Sequence, residues 1–116
     1  MPTGAEIHSR ERDILTRVRE AAGKRIPFLP HAVNQMNSPD RMISTEEIRA
    51  VVFHGVLVEN YPEDVRGHSC LMLGWGEGDR PLHVVCAPKA DYLAIITTYL
   101  PSSTLWEPDW QTRKKR

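Results

Sequence analysis

The spacing of apolar side chains predicts helices in the first half of the chain. Between Ala5 and Gly23 apolar residues recur at intervals of three, four and seven, with charged residues between them. This pattern is typical of an amphipathic helix. Two prolines interrupt it in the stretch Lys24–Pro30, which we interpret as a linker. A short helix is expected from His31 to Met36, because Asn37 and the proline that follows soon after end it.

A third helix and a set of strands follow. Ser44 and Glu47 have the spacing of a capping box, which predicts a helix from Thr45 to His54. After Gly55 the pattern becomes extended and rich in β-branched and aromatic residues. The predicted strands are Val56–Tyr61, Ser69–Trp75, Pro81–Ala87 and Tyr92–Tyr99. Their connections are too short for parallel crossovers, so we expect an antiparallel meander, and helices followed by such a sheet give the α+β class.

Composition and charge narrow the possible functions. With 116 residues, 41% of them hydrophobic, the chain is expected to form one globular core. It contains no apolar run long enough for a membrane span and no secretory signal, so we expect a cytoplasmic protein that does not contact a membrane.

Without the basic residues Arg113–Arg116, the chain has 11 basic side chains and 15 acidic ones. An acidic body disfavours a general nucleic-acid binder, although a local basic groove stays possible. Cys70 and Cys86 have no metal-site spacing and are expected to be buried free thiols.

His83 is the first candidate for chemistry. It follows Leu82 and precedes Val84 in the third predicted strand, so its side chain lies on the opposite face from theirs. A histidine there is either a hydrogen-bonded core residue or a general acid or base. None of the histidines pairs with another at the spacing of a metal site, so we expect neither a metal nor a cofactor.

Tyrosine and arginine residues near the strand ends are further candidates. Tyr61 and Tyr99 end the first and fourth predicted strands, where a tyrosine either plugs the core edge or directs its hydroxyl at a substrate. Arg66 lies between the first two strands, where it is either in a surface ion pair or a bidentate phosphate clamp. Arg41, just before the capped helix, has the same two interpretations.

The segment after the last strand shows no clear element. Trp106 and Trp110 are expected to dock this tail onto the body, and Pro108 between them argues against one continuous helix. Nothing after Trp110 is apolar, so we expect order up to that residue and fraying through Arg113–Arg116.

A set of short motifs in a fixed order resembles one known family, the bacterial domain of unknown function 4258. The motifs span roughly residues 31 to 110, with Gln35 standing where a basic residue is common. They are His31-Ala-Val-Asn-Gln-Met36, Arg41-Met-Ile-Ser, the capped helix to Gly55, Glu59-Asn-Tyr-Pro62, Pro81-Leu-His-Val-Val85 and Ile96-Thr-Thr-Tyr-Leu-Pro101. The resemblance implies a RelE-like fold within the RelE and barnase-like toxin superfamily, and a partner antitoxin that carries a zinc ribbon and a helix-turn-helix.

Two hypotheses follow from the residues and the resemblance together. In the first, the chain is the toxin of a toxin–antitoxin pair and a metal-independent ribonuclease that acts on RNA, including RNA held on the ribosome. His83, Tyr99, Tyr61 and Arg66 are then its catalytic residues, and Arg41, His31 and Thr97 contact the substrate. In the second, it is a non-catalytic protein- or RNA-binding module with a toxin-like fold, acting through an exposed sheet and the aromatic tail. In both, residues 1–30 are an extension, 31–110 the toxin-like domain and 111–116 a basic tail.

Overall fold

The computed structural model describes the backbone of residues 4–115 and the side chains of residues 14–115. Three helices precede four strands, which confirms the predicted α+β class. The elements are α1 (Gly4–Lys24), α2 (Pro30–Met36), α3 (Thr45–His54), β1 (Val56–Tyr61), β2 (Ser69–Trp75), β3 (Pro81–Pro88) and β4 (Leu93–Tyr99). None of the helices in the described range has the length and apolar character that crossing a bilayer requires.

The strands form one antiparallel sheet in the order β1-β2-β3-β4, so the predicted meander is confirmed. Three details differ from the expectation, the first of which is that β3 ends at Pro88, one residue later than predicted. The hairpin after β2 contains a short 3₁₀ turn over Glu77–Asp79, in which Gly78 has a φ of 65°. Strand β4 begins one residue later than predicted, because the N–H of Lys89 donates to the carbonyl of Tyr92 (2.8 Å) and keeps Tyr92 in the turn.

One hydrophobic core lies between the helices and one face of the sheet. Side chains of α1 contribute to it together with α3 and the strands, so the described part of the predicted 1–30 extension shares the core of the domain. Its fully buried members include Ile14, Val18, Ile48, Val51, Val52, Met72, Leu82, Val84, Leu93 and Ile95.

The segment between α1 and α2, predicted as a linker, pairs with the outer edge of β4. The N–H of Leu93 donates to the carbonyl of Arg25 (2.8 Å), and that of Ile95 donates to the carbonyl of Pro27 (3.0 Å). In return, the N–H of Leu29 donates to the carbonyl of Ile95 (3.1 Å). These bonds satisfy backbone groups that an edge strand otherwise leaves open.

Helix α3 begins with the predicted capping box, and its acidic member has a second role. The Ser44 hydroxyl accepts from the N–H of Glu47 (3.1 Å), and the Glu47 carboxylate accepts from the N–H of Ser44 (3.0 Å). The same carboxylate is buried and also accepts from the N–H of Glu77 (2.9 Å) and from two nitrogens of Arg80 (3.1 and 3.0 Å). Burial alone raises the pKa of Glu47, but the bonds from Arg80, Ser44 and Glu77 outweigh it and hold this pKa below its usual value. Glu47 therefore ties α3 to the turn after β2.

Cys70 and Cys86 are buried free thiols, as expected from the sequence. They are direct partners in the register of β2 and β3, and their Sγ atoms are 4.0 Å apart. Both belong to the core on the helix side of the sheet.

Candidate functional site

Polar and aromatic side chains gather on the sheet face that points away from the helices. His83 lies on this face, because its neighbours Leu82 and Val84 are in the core on the other side. The antiparallel register places Tyr99 directly beside His83. Residues of β1 and of the chain after β4 complete the group, which we call the Glu59 cluster. It comprises Glu59, Tyr61, His83, Tyr99, Trp106 and Arg113.

His83 is fully buried and both of its ring nitrogens are hydrogen-bonded. Its Nε2 is 2.7 Å from the carbonyl oxygen of Trp110, which can only accept, so Nε2 carries the proton. Its Nδ1 is then free to accept from the hydroxyl of Tyr99 at 3.2 Å. The ring of Trp106 packs edge-on against the imidazole, with ring centroids 4.6 Å apart. His83 therefore holds the tail and β4 together.

Glu59 and Arg113 form the solvent-facing part of the cluster. Nε and Nη2 of Arg113 donate to the two carboxylate oxygens of Glu59 at 2.8 and 3.0 Å, which is bidentate geometry. The hydroxyl of Tyr61 donates to the same carboxylate. The guanidinium also lies over the ring of Trp106, 4.7 Å from its centroid. The side chain of Arg113 is 61% exposed and that of Glu59 is 26% exposed, so a ligand in solution can reach both.

The tail after β4 covers this face of the sheet, which the binding-module hypothesis expected to be exposed. Trp106 is buried, which confirms that it docks the tail, whereas Trp110 is half-buried. The tail folds back on itself, because the N–H of Lys114 donates to the carbonyl of Leu105 (2.9 Å). The expectation that fraying begins at Arg113 is wrong, since its ion pair with Glu59 holds it on the sheet. Arg116, the last residue of the run predicted to fray, lies outside the described residues.

Burial and the ion pair decide the protonation states in the cluster. Desolvation lowers the pKa of His83 and outweighs the Trp110 carbonyl and the Glu59 charge, which raise it. Arg113 lowers the pKa of Glu59 more than burial raises it. Burial raises the pKa of Tyr99, and burial together with Glu59 raises that of Tyr61. At neutral pH the cluster thus holds an ionised carboxylate, a neutral imidazole and two protonated phenols.

Stability is expected to fall in two steps on acidification. His83 has a lowered pKa in the folded state, so its contribution is complete above the unfolded value of about 6.5 and is lost as the pH falls below it. Glu47 and Glu59 also have lowered pKa values, and their contribution is lost below about pH 4.5. Urea unfolding at a series of pH values measures both steps. His83→Gln should remove the upper step, whereas His54→Gln at an exposed position should keep it.

The other residues expected in a site lie apart from the Glu59 cluster, with one exception. Arg66 is in the loop after β1, where its guanidinium pairs with Asp64 at 2.9 Å. Arg41 contacts the side chain of Gln35 on α2, and His31 is exposed on the same helix. Thr97 is the exception: it is two residues before Tyr99 on β4 and therefore shares its face. The structure brings together His83, Tyr99 and Tyr61 but places Arg66, Arg41 and His31 elsewhere.

Three members of the cluster were not singled out as site residues from the sequence. Glu59 was visible only as part of a short motif, although a carboxylate two positions before Tyr61 on a strand must share its face. Trp106 was expected to dock the tail, without a role at the site. Arg113 belonged to a basic run whose contacts depend on how the tail folds, so no local signal identified it.

Among the side chains that the structure describes, no three His, Cys, Asp or Glu residues converge closely enough to hold a metal ion. The groups of the cluster that can exchange protons or bind charge are the carboxylate of Glu59, the guanidinium of Arg113, the imidazole of His83 and the phenols of Tyr61 and Tyr99.

Comparison with known proteins identifies a family. The model of the family described as "Domain of unknown function (DUF4258)" matches residues 28–100, which is more than half of the chain. The matched range contains α2, α3 and all four strands, and it leaves α1 and the tail with Trp106 and Arg113 outside. No curated protein and no solved structure matches the chain. The resemblance expected from the motifs is confirmed at the level of the family, with bounds of 28 and 100 in place of 31 and 110. The chain belongs to the DUF4258 family.

Proposed function

We propose that the chain is a metal-independent ribonuclease and the toxin of a toxin–antitoxin pair, with the Glu59 cluster as its active site. The observation that carries this proposal is the bidentate pair of Glu59 and Arg113, which is open to solvent and bonded to the hydroxyl of Tyr61. RNA brings its own nucleophile, the 2′-hydroxyl, so cleavage needs only a base, an acid and a cation at the phosphate. One carboxylate, two phenols and one guanidinium supply those three functions.

Each group has a role that follows from its state. Glu59 is ionised and accepts the proton of the 2′-hydroxyl. Arg113 uses two nitrogens on Glu59 and keeps its remaining N–H donors for the phosphate, whose developing charge it stabilises. Tyr61 stays protonated and donates its proton to the 5′-oxygen, which leaves the phosphorus as the 2′-oxygen bonds to it. His83 acts as a positioning residue, because it is buried and contacts Tyr99 and Trp106 of the cluster.

The guanidinium at the site is Arg113 in this proposal and not Arg66, the clamp expected from the sequence. Arg66 is engaged by Asp64 in the loop after β1. The charge requirement is met by one local cation, which suits a chain whose body is acidic. It also suits a short contact with RNA, including RNA held on the ribosome, in the cytoplasm.

Placement in the RelE and barnase-like superfamily is part of the same proposal. Helices followed by a four-stranded antiparallel sheet are consistent with that fold, but a fold alone does not define an activity. The partner expected in this case is an antitoxin with a zinc ribbon and a helix-turn-helix, encoded beside this chain. Growth arrest on expression of the chain alone, relieved by the neighbouring gene, is the corresponding observation in cells.

Glu59→Gln is expected to reduce RNA cleavage by about 100-fold or more, because an amide cannot accept the 2′-hydroxyl proton. Arg113→Lys should cause a loss of similar size, since an ammonium cannot donate in bidentate geometry. The measurement is the cleavage rate of a fluorescent oligoribonucleotide by purified protein.

Two matched substitutions serve as comparisons. Glu63→Gln removes a carboxylate from an exposed loop, and Arg66→Lys changes the guanidinium that pairs with Asp64. Both should leave cleavage within about twofold of the wild type, because surface changes away from the site have small effects. Full activity in Glu59→Gln, or an equal loss in Arg66→Lys and Arg113→Lys, would refute the assignment.

The burial of His83 favours a second candidate function, a non-catalytic protein- or RNA-binding module with a toxin-like fold. Both nitrogens of His83 are bonded within the protein and Trp106 covers the ring, so the imidazole acts as a structural anchor. On this alternative the exposed pair of Glu59 and Arg113 only fastens the tail. Wild-type protein that binds RNA and leaves it intact at every concentration tested would favour this function over the ribonuclease.

A further inference from the structure

A pocket lined by basic residues lies at the end of α1, away from the Glu59 cluster. It is a cavity of about 270 Å³ between the last turns of α1 and the turn that joins β3 to β4. Arg17 and Lys24 line it from α1, and Lys89 lines it from the turn. Glu20 is the single carboxylate residue in the lining, so three positive charges face one negative charge.

Each of the three cations is held by a neutral partner. Nζ of Lys24 donates to the carbonyl of Ala90 (2.9 Å), and Nζ of Lys89 donates to the carbonyl of Arg66 (2.5 Å). Arg17 bonds through Nη1 to Nδ1 of His68 (3.1 Å). These bonds fix the positions of the cations without neutralising their charge.

Three other cations of the chain behave differently, whereas Arg19 and Arg41 also bond to neutral groups. Arg66, Arg80 and Arg113 each pair with a carboxylate, whereas none of the pocket's three cations does so among the described side chains. An ammonium group has three donors and a guanidinium has five, so Lys24, Lys89 and Arg17 keep most of their N–H groups for a ligand. The pocket is thus a local excess of positive charge on an otherwise acidic body.

We propose that this pocket binds the phosphate group of a phosphate ester. Converging cations with unused donors favour a compact anion that accepts several hydrogen bonds, which is the chemistry of a phosphate. The cavity is smaller than those that enclose whole drug-sized ligands, which suits recognition of one charged group. Glu20 and the carbonyl end of α1 oppose the anion and limit its affinity.

Most of the residues that line the pocket precede the range that matches the family. Four of its seven lining residues come from α1, which precedes the matched residues 28–100. The inference does not depend on the Glu59 cluster, because no residue is shared between the two places. The phosphate could belong to an RNA backbone or to a free nucleotide.

The test is binding of a fluorescent 2′-O-methyl RNA decamer, measured by anisotropy at several salt concentrations. This probe lacks a 2′-hydroxyl nucleophile, so the result is separate from cleavage.

The double variant Lys24→Gln with Lys89→Gln should bind about tenfold more weakly than the wild type. Its salt slope should be lower by about 0.7 to 1.4, as expected for one or two lost phosphate contacts on a single strand. Glu20→Gln should strengthen binding about threefold by removing the opposing charge. Arg49→Gln removes one positive charge elsewhere, on α3, and should change the affinity by less than about twofold.

Adenosine 5′-monophosphate and inorganic phosphate distinguish the source of the phosphate. Displacement of the decamer by either compound at millimolar concentration assigns the pocket to an isolated phosphate group, and displacement by longer RNA alone assigns it to a polynucleotide backbone.

If the wild type does not bind the decamer, the same variants are compared by calorimetry with the two small compounds. Wild-type protein that binds none of the three probes overturns the proposal. So does a double variant that binds like the wild type, or a loss in Arg49→Gln that equals the loss in the double variant.

Discussion

His83→Ala should lower the free energy of unfolding by about 3 kcal/mol, because it removes both hydrogen bonds of a fully buried imidazole and the packing surface of Trp106. The carbonyl of Trp110 and the hydroxyl of Tyr99 each lose their partner, and both residues are half-buried. Urea unfolding measures the loss, and a red shift of tryptophan fluorescence reports release of Trp106 from the sheet.

The control for this prediction is His54→Ala, at an exposed position near the end of α3, which should change the free energy of unfolding by less than about 0.5 kcal/mol. Cleavage must be normalised to the folded fraction. A stable His83→Ala protein without cleavage would contradict the anchoring role. It would mean that the imidazole acts directly on the substrate as a catalytic residue. A destabilised protein that still cleaves RNA would remove His83 from catalysis.

Glu47→Ala should lower the free energy of unfolding by about 3 kcal/mol, which corresponds to a fall of roughly 10 to 15 °C in melting temperature. The substitution removes one half of the capping box and the acceptor of Arg80 and of the Glu77 N–H. Arg80 is 27% exposed, so its charge is left half-buried and without its carboxylate.

The neighbouring residue offers a matched comparison. Glu46 is exposed in the same first turn of α3, and Glu46→Ala should cost less than about 0.5 kcal/mol. Calorimetric melting of both variants decides the question. Equal losses in Glu46→Ala and Glu47→Ala would mean that the helix dipole, not the buried contacts, sets the effect.

The elements of the fold were largely predictable because their signals are local. The capping box at Ser44 defined the start of α3, and runs of β-branched residues marked strands to within a residue or two. Short turns then left an antiparallel meander as the topology. The second role of Glu47 was not predictable, because Arg80 is 33 residues away and only the packed structure brings them together.

The candidate site was predictable only in part, for a similar reason. His83, Tyr61 and Tyr99 are on strands, where alternation and register determine the face of each side chain. Arg113 is 54 residues from Glu59 and sits in a tail without regular structure. Its position depends on where Trp106 docks. The sequence predicted Arg113 as part of a solvated basic run and therefore did not identify it as the guanidinium of the site.

The paired thiols in the core make the opening of this protein measurable by chemistry. Cys70 and Cys86 are fully buried, and a thiol reacts only as a thiolate that a reagent can touch. Alkylation of either residue therefore has to wait until β2 and β3 separate from the helices above them. With reagent in excess and reclosing slower than alkylation, the modification rate equals the rate of that opening; with faster reclosing it gives the equilibrium between closed and open forms. The alkylation rate of these two core thiols thus reports how fast and how often the core opens.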